Sequence, residues 1–265
     1  MSPQRSSPWP AGAPAWVDVA TPDMDAAQTF YGGLFGWTFG ARSEEFGGYC
    51  MCEVDGVPAA GMAPARDGVP PSWTLYFGSD DVAASAVAIP AAGGMLLTDV
   101  LRIGDSGAMV VAADPAGAVF GLWEAEQMIG IGVFNQTGAL FWEDLRSSDH
   151  EASRAFYGAV LGWEFRPMPM ASPDYTTFHH PGDDAPLGGL GGMMGMTGFP
   201  SHWIAYFGVD DVDVGVQFVE THGGHVISPG FDTPFGRMAA VTDPFGAILW
   251  IMSPSAERRE PDRSE

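Results

Sequence analysis

Most of this chain is written twice. Phe30–Trp37 reads FYGGLFGW and Phe156–Trp163 reads FYGAVLGW, while Trp73–Val82 reads WTLYFGSDDV and Trp203–Val212 reads WIAYFGVDDV. The matched stretches lie 126 and 130 residues apart, and Asp114 and Asp243, in matching DP turns, lie 129 apart. Offsets this close mean that both copies share one fold and that insertions are confined to loops. A residue type that changes between matched positions therefore carries information about what each copy does.

A fainter repeat runs inside each half: a strand, a helix, then three further strands. In the first half Ala15–Ala20 alternates as a strand, Thr21-Pro22 supplies a capping residue and a proline, and Ala26, Phe30 and Leu34 fall on one helical face. Trp37–Phe39, Tyr49–Val54 and Val57–Met62 read as strands, the last two joined by Asp55-Gly56, a two-residue hairpin signal. Trp73–Gly78 restarts the series. Asp81 opens a helix that stops at Gly93-Gly94, as Asp211 opens one that stops at Gly223-Gly224. In the second copy Ser148 and Glu151 have capping-box spacing ahead of Phe156. The expected organisation is a disordered tail over 1–12, a domain over 13–124, a linker over 125–138, a second domain over 139–252 and a disordered tail over 253–265.

Composition excludes several functions. The 265 residues, 46% of them hydrophobic, suffice for two cores. No apolar run reaches the length of a membrane span, and the first residues lack a signal-peptide core, so a soluble cytoplasmic protein is expected. Eleven basic against thirty-three acidic side chains give a net charge of −22, which repels nucleic acid and anionic lipid. Cys50 and Cys52, two apart on a strand, are unsuited to a disulfide and read as reduced packing residues.

The two FYG stretches, the segments YFGSDDV and YFGVDDV, and the closing hairpins DPAGAVFGLW and DPFGAILWIM together resemble the vicinal oxygen chelate superfamily, the glyoxalase, bleomycin-resistance and extradiol-dioxygenase group. The resemblance covers almost the whole chain. It implies an α+β fold in which four βαβββ modules pair into two cup-shaped curved sheets, each cup around a ligand. Enzymes of the group hold a divalent metal at the opening strand of a module and at a glutamate in its closing strand. Carried onto this sequence, those positions are Trp16 and Trp142, Thr74 and Ile204, and Gly121 and Trp250. Tryptophan, isoleucine and glycine side chains offer no lone pair to a cation. The expectation is therefore no standard metal site and no cofactor.

All six histidines lie in the second half. Adjacent His179 and His180 point to opposite faces of a strand, so one alone can enter a cup. His202 shares the face of Ile204, as Asp144 shares that of Trp142, which leaves an unusual Asp144/His202 metal pair as an alternative.

Strand alternation sorts the remaining residues. Val17, Val19, Trp73, Leu75, Phe77, Phe120 and Leu122, with Trp203, Ala205, Phe207, Leu249 and Ile251, belong to the helix-covered face. The concave faces carry Trp16, Asp18, Thr74, Tyr76 and Trp123 in one cup, and Trp142, Asp144, Ile204, Tyr206, Trp250 and Met252 in the other, with His202 beside them. Glu143 breaks the pattern by pointing to the helix side. The glycine-rich stretch Gly188–Gly198, with Met193, Met194 and Met196, reads either as a mobile flap over the second cup or as a plain loop.

Aromatic groups and one acid in each cup suit a bulky, partly aromatic small molecule, a natural product or antibiotic held without metal for sequestration, self-resistance or as a pathway accessory. The alternative is a lyase, isomerase or dioxygenase type of enzyme with atypical metal ligands, or metal-free acid/base catalysis by Asp18 or Asp144. A third reading is a structural protein with collapsed cups. A monomer suffices for two cups, and a homodimer is compatible.

Overall fold

Each module begins with a strand that feeds an aspartate-capped helix. The computed structural model describes residues 5–193 and 198–254. Its first half runs β1 (Pro14–Thr21), α1 (Met24–Phe35), β2 (Thr38–Phe39), β3 (Cys50–Val54) and β4 (Val57–Pro64), then β5 (Ser72–Gly78), α2 (Val82–Ala91), β6 (Met95–Leu96), β7 (Leu101–Ile103), β8 (Gly107–Ala113) and β9 (Val119–Ala125). The second half runs β10 (Leu140–Arg146), α3 (His150–Leu161), β11 (Glu164–Pro167), β12 (Thr176–His179) and β13 (Gly188–Gly191), then β14 (His202–Gly208), α4 (Val212–Thr221), β15 (His225–Thr233), β16 (Gly236–Thr242) and β17 (Ile248–Pro254).

The capping residues correct two expectations. Asp23, two residues beyond Thr21, accepts the N–H groups of Asp25 and Ala26 at the start of α1, and Asp149 accepts that of Ala152 at the start of α3. Ser148 bonds the Ser201 hydroxyl instead of closing a capping box with Glu151. An aspartate presents an acceptor to orphan N–H groups and favours the positive helix end by charge. Asp81 and Asp211 cap α2 and α4 as their sequence position indicates. At Asp55-Gly56 both residues take positive φ, 52° and 76°, the conformation of a type I′ hairpin turn.

Strand order is β2-β3-β4-β1-β5-β9-β8-β6 in the first sheet, with β7 also paired to β8, and β11-β12-β13-β10-β14-β17-β16-β15 in the second. The modules of each half join where their opening strands run antiparallel, β1 to β5 and β10 to β14. One hydrophobic core spans both halves. It holds Val17, Leu75, Phe77 and Phe120 from the first sheet, Leu145, Ala205, Phe207 and Leu249 from the second, and Phe30, Tyr31, Phe156 and Tyr157 from the helices. Phe77 and Trp203 approach to 4.9 Å between ring centres, and Trp73 and Phe207 to 4.8 Å, so the two sheets meet through these faces. Alternation along each strand turns the opposite faces away from the seam. Cys50 and Cys52 are free thiols buried in this core.

The repeated motifs hold the seam reciprocally. Tyr31 donates to Asp243 Oδ2 at 3.0 Å, while Asp243 Oδ1 accepts the N–H groups of Phe245 and Ala247 and so fixes the DPFG turn. In the mirror position Asp114 accepts from the Ser153 hydroxyl at 2.8 Å and from the N–H groups of Ala116 and Ala118. Trp37 donates its indole N–H to the Gly138 carbonyl ahead of the second half, and Trp163 donates to the Gly12 carbonyl ahead of the first. Gly12 and Gly138 have φ of 79° and 76°, a backbone conformation that favours glycine.

The segment assigned to a disordered tail over 1–12 is instead tied down from Arg5 onward, because Trp9 donates to the Ile131 carbonyl at 2.9 Å and sets its ring edge against Phe134. The linker lies along the first sheet, with Ile131 N–H on Ala15 and Gly132 N–H on Pro58. At the other end β17 continues to Pro254, and the rest of the expected C-terminal tail lies outside the described residues. Gly188–Gly191 is strand β13, paired on both sides, which removes it from any flap; Met194 and Met196 lie outside the described residues. No described helix is long and apolar enough to cross a membrane.

Candidate functional site

In both cups a carboxylate sits at the centre of the opening strand and two tyrosines reach for it, one from the neighbouring strand β5 or β14 and one from the segment just before β3 or β12. Asp144, on β10, is buried. Its Oδ1 accepts from Tyr175 at 2.6 Å and from the Trp142 indole at 3.0 Å, and its Oδ2 from Tyr206 at 2.9 Å and from Arg146 at 2.9 Å. A carboxylate offers about four lone-pair sites, and here four donors take them. Burial depresses the Arg146 guanidinium, but Asp144, Tyr206 and Tyr175 together outweigh it and hold it above its ordinary value. Burial first, and then the charge of Asp144, push the Tyr175 and Tyr206 hydroxyls upward, so both stay protonated as donors.

Asp18, in the matching place on β1, is only half-buried. Tyr49 donates to its Oδ2 at 3.3 Å and in turn accepts the Trp16 indole N–H at 2.7 Å, while Tyr76 donates from β5. Position 20, which matches Arg146, is alanine. Burial raises the Asp18 carboxyl to about 7, opposed by the hydrogen bonds of Tyr76 and Tyr49. The same burial, with the charge of Asp18, keeps the Tyr49 and Tyr76 hydroxyls protonated.

The tyrosines just before β3 and just before β12 owe their reach to glycine. A Cβ at Gly61 would overlap the Tyr49 hydroxyl, and one at Gly189 would overlap that of Tyr175. Tyr49, Tyr175 and Arg146 were not among the residues singled out by sequence, although Tyr49 and Tyr175 stand 126 apart, the offset of the FYG motifs.

The rest of each lining differs. In the first cup Trp16, Tyr76 and Trp123 are each less than a tenth exposed and belong to the common core, Trp123 donating to the Met128 carbonyl of the linker. Thr74 lies across from Asp18 and is half-buried. In the second cup Ile204, Tyr206 and Met252 form a cluster separate from that core, with half-buried Phe141, Trp142, Met238 and Trp250 packed on it. Trp250 lies 5.3 Å from the Tyr206 ring and 6.0 Å from Phe231. His202 is half-buried at the end of β14, opposite Arg146, with its ring nitrogen 2.9 Å from the Pro200 carbonyl. Of the adjacent pair, His179 lies on the face of Tyr175, buried and bonded to Thr177 at 2.8 Å.

A divalent metal does not fit these residues. The positions where the fold family places ligands are Trp16, Thr74 and Gly121, of which Trp16 and Gly121 both pair with Tyr76 while Thr74 pairs with Asp18, and, in the same registers of the second half, Trp142, Ile204 and Trp250. Asp144 is engaged by four donors and ion-paired with a guanidinium, which speaks against its use in an Asp144/His202 metal pair or in acid/base work. Around Asp18 the other oxygens are protonated phenols and a threonine hydroxyl, and one carboxylate is too few donors for a hard cation. Among the described residues no group of three or more His, Cys, Asp or Glu side chains is placed to hold an ion. A groove of about 320 Å³ between Arg5, Pro58, Ser106 and Met128 lies along the linker, away from both carboxylates.

The sequence profile of the Glyoxalase/Bleomycin resistance protein/Dioxygenase superfamily matches residues 135–251. CFP32 of Mycobacterium tuberculosis (strain CDC 1551 / Oshkosh), whose name carries the word glyoxylase, is 37% identical over 97% of this chain and all of its own length. The anthracycline biosynthesis protein DnrV of Streptomyces peucetius is 36% identical over 89% of this chain and 91% of its own. Among solved structures, the Mn(II)-bound glyoxalase from Novosphingobium aromaticivorans superposes with a TM-score of 0.63 at 15% identity, over 92% of this chain and 82% of that one. The 2,3-dioxygenase LapB from Pseudomonas sp. KL28 does so with 0.63 at 13% identity, over 95% and 96%. At such identities the structures speak for the fold alone. With two curled sheets of paired βαβββ modules and relatives aligned over nearly its full length, this chain belongs to the glyoxalase/bleomycin resistance/dioxygenase superfamily.

Proposed function

We propose that the protein binds a bulky, partly aromatic small molecule in its cups without a metal ion, as a sequestering or accessory protein. The observation that carries this reading is the second cup, where half-buried Trp142 and Trp250, standing at positions where the fold family places metal ligands, flank Tyr206 and Met252. Indole and phenol rings give large flat contact area with a polar edge, at little conformational cost. The likeness to DnrV, named for anthracycline biosynthesis, supports a fused-ring aromatic ligand. Tryptophan fluorescence titrated with a panel of fused-ring aromatic compounds tests it: quenching at micromolar concentration, weakened at least tenfold in Trp250→Ala, is expected, together with less than about a tenth of a metal ion per chain by elemental analysis. A flat response across the panel, or a stoichiometric metal, overturns it.

A second reading is favoured by Asp18 alone. A half-buried carboxyl raised to about 7 by burial is poised to take or give a proton near neutral pH. Conversion of a bound compound by the wild type and not by Asp18→Asn, followed by mass spectrometry, separates catalysis from binding.

A further inference from the structure

The two cups differ in one charge, and the chain itself shows what belongs in its place. In the second cup the Arg146 guanidinium donates to Asp144 Oδ2 at 2.9 Å and lies 5.4 Å from the Tyr175 ring centre, a cation held by a carboxylate and an aromatic face. Gly191, across from Arg146, gives it room: a Cβ there would stand 3.2 Å from a guanidinium nitrogen. In the first cup the carboxylate, both tyrosines, the tryptophan and the spacer Gly61 are all retained, but Ala20 stands where Arg146 does, paired with Ala63. Asp18 and Ala20 are both partly open to solvent, whereas Asp144 and Arg146 are buried. Tyr49 and Tyr76 occupy only part of the acceptor capacity of Asp18. Exposed Arg66, whose charge is felt at Tyr76, makes no hydrogen bond to Asp18 among the described residues.

We infer that the first cup binds an organic cation, an ammonium or guanidinium group carried by the ligand, which sits on Asp18 and the Tyr49 face in the place that Arg146 fills in the second cup. The inference rests on the reading of the cups as ligand surfaces and adds a charge to the ligand of one of them. A carboxylate with aromatic walls is suited to such groups, since the ring faces attract the cation while excluding water from it. Arg146 is the intramolecular counterpart: the second cup carries its own cation, and the first takes one from outside.

The test uses the full chain and two probes of one shape, 2-phenylethylammonium and its neutral counterpart 2-phenylethanol, read on the Trp16 indole N–H resonance. The ammonium ion is expected to shift that resonance saturably and to bind at least tenfold tighter than the alcohol. Asp18→Asn, which keeps shape and loses charge, is expected to abolish the preference, and Ala20→Arg, which installs the counterpart of Arg146, to abolish binding. Equal affinity for the two probes, or an undiminished preference in Asp18→Asn, overturns the inference; should either variant fail to fold, the wild-type comparison decides. Failure here leaves intact a fused-ring ligand detected through Trp250. Loss of that signal, with ammonium binding kept, removes the aromatic ligand and not the cation.

Discussion

The two cups are built on one plan and closed by different chemistry. Both place an aspartate, a tryptophan two residues before it and two tyrosines on the concave face, yet Asp144 is sealed under a guanidinium and Asp18 is left half-open under an alanine. The aromatic linings divide the opposite way. Trp16, Tyr76 and Trp123 of the first cup have merged with the common core, while those of the second form a separate, partly exposed cluster. The difference teaches that a duplicated scaffold keeps its hydrogen-bonding skeleton and varies the single residue that sets net charge at its centre.

Breaking the ion pair gives the largest expected effect. Arg146→Met leaves Asp144 buried without its cation and should lower stability by about 3 kcal/mol in denaturant unfolding, whereas Ala20→Met, at the matching site, should change it by about 1 kcal/mol or less. Equal losses would mean that Arg146 contributes packing and not charge.

The next test concerns the far side of the same strand. Glu143 stands where the first half has Val17; burial, with the charge of Asp144 beside it, holds its carboxyl well above the ordinary range. In the unfolded chain it ionises freely, so its presence lowers stability progressively as pH rises. Glu143→Val should therefore raise stability by about 2 kcal/mol at pH 8 and by less at pH 5. An unchanged or lowered melting temperature at pH 8 counts against this.

A smaller effect belongs to Asp18. Because its folded carboxyl is raised to about 7 from an ordinary 3.8, the native state holds a proton that the unfolded state has lost between those values. Stability should fall as pH rises from about 4 to 7 and level off above. Subtracting the profile of Asp18→Asn isolates this contribution from the other raised carboxyls, Glu143, Asp114 and Asp243. After allowance for its partial exposure it amounts to roughly 2 kcal/mol. Tyr49 and Tyr76, which face it, stay protonated throughout this range.

Much of the fold was legible because it rests on local rules. Internal offsets gave the four modules, Asp55-Gly56 gave a hairpin, and alternation separated Val17, Leu75 and Phe77 from Trp16, Asp18 and Tyr76. Helix starts slipped where two capping candidates stood within two residues, as with Thr21 and Asp23. The site was less legible. Counting along β1, β5 and β9 finds residues on those strands but not Tyr49 or Tyr175, which reach the carboxylates from the far side of β4 and β13 over glycines whose role appears only once the sheets curl. Arg146 and Ala20 stand at matched positions 126 apart, but the meaning of that difference depends on the 2.9 Å bond from Arg146 to Asp144. Glu143 was recognised as a break in the pattern, and a register shift between Leu140 and Trp142 lies beside it.

The crossed hydrogen bonds of Tyr31 with Asp243, Ser153 with Asp114, Trp37 with Gly138 and Trp163 with Gly12 make each half the other's missing wall. Neither copy can drift at those positions without unfastening its sibling, while the outward hollows are free of that obligation. Mutual dependence along the join is what lets the two recesses specialise separately within one polypeptide.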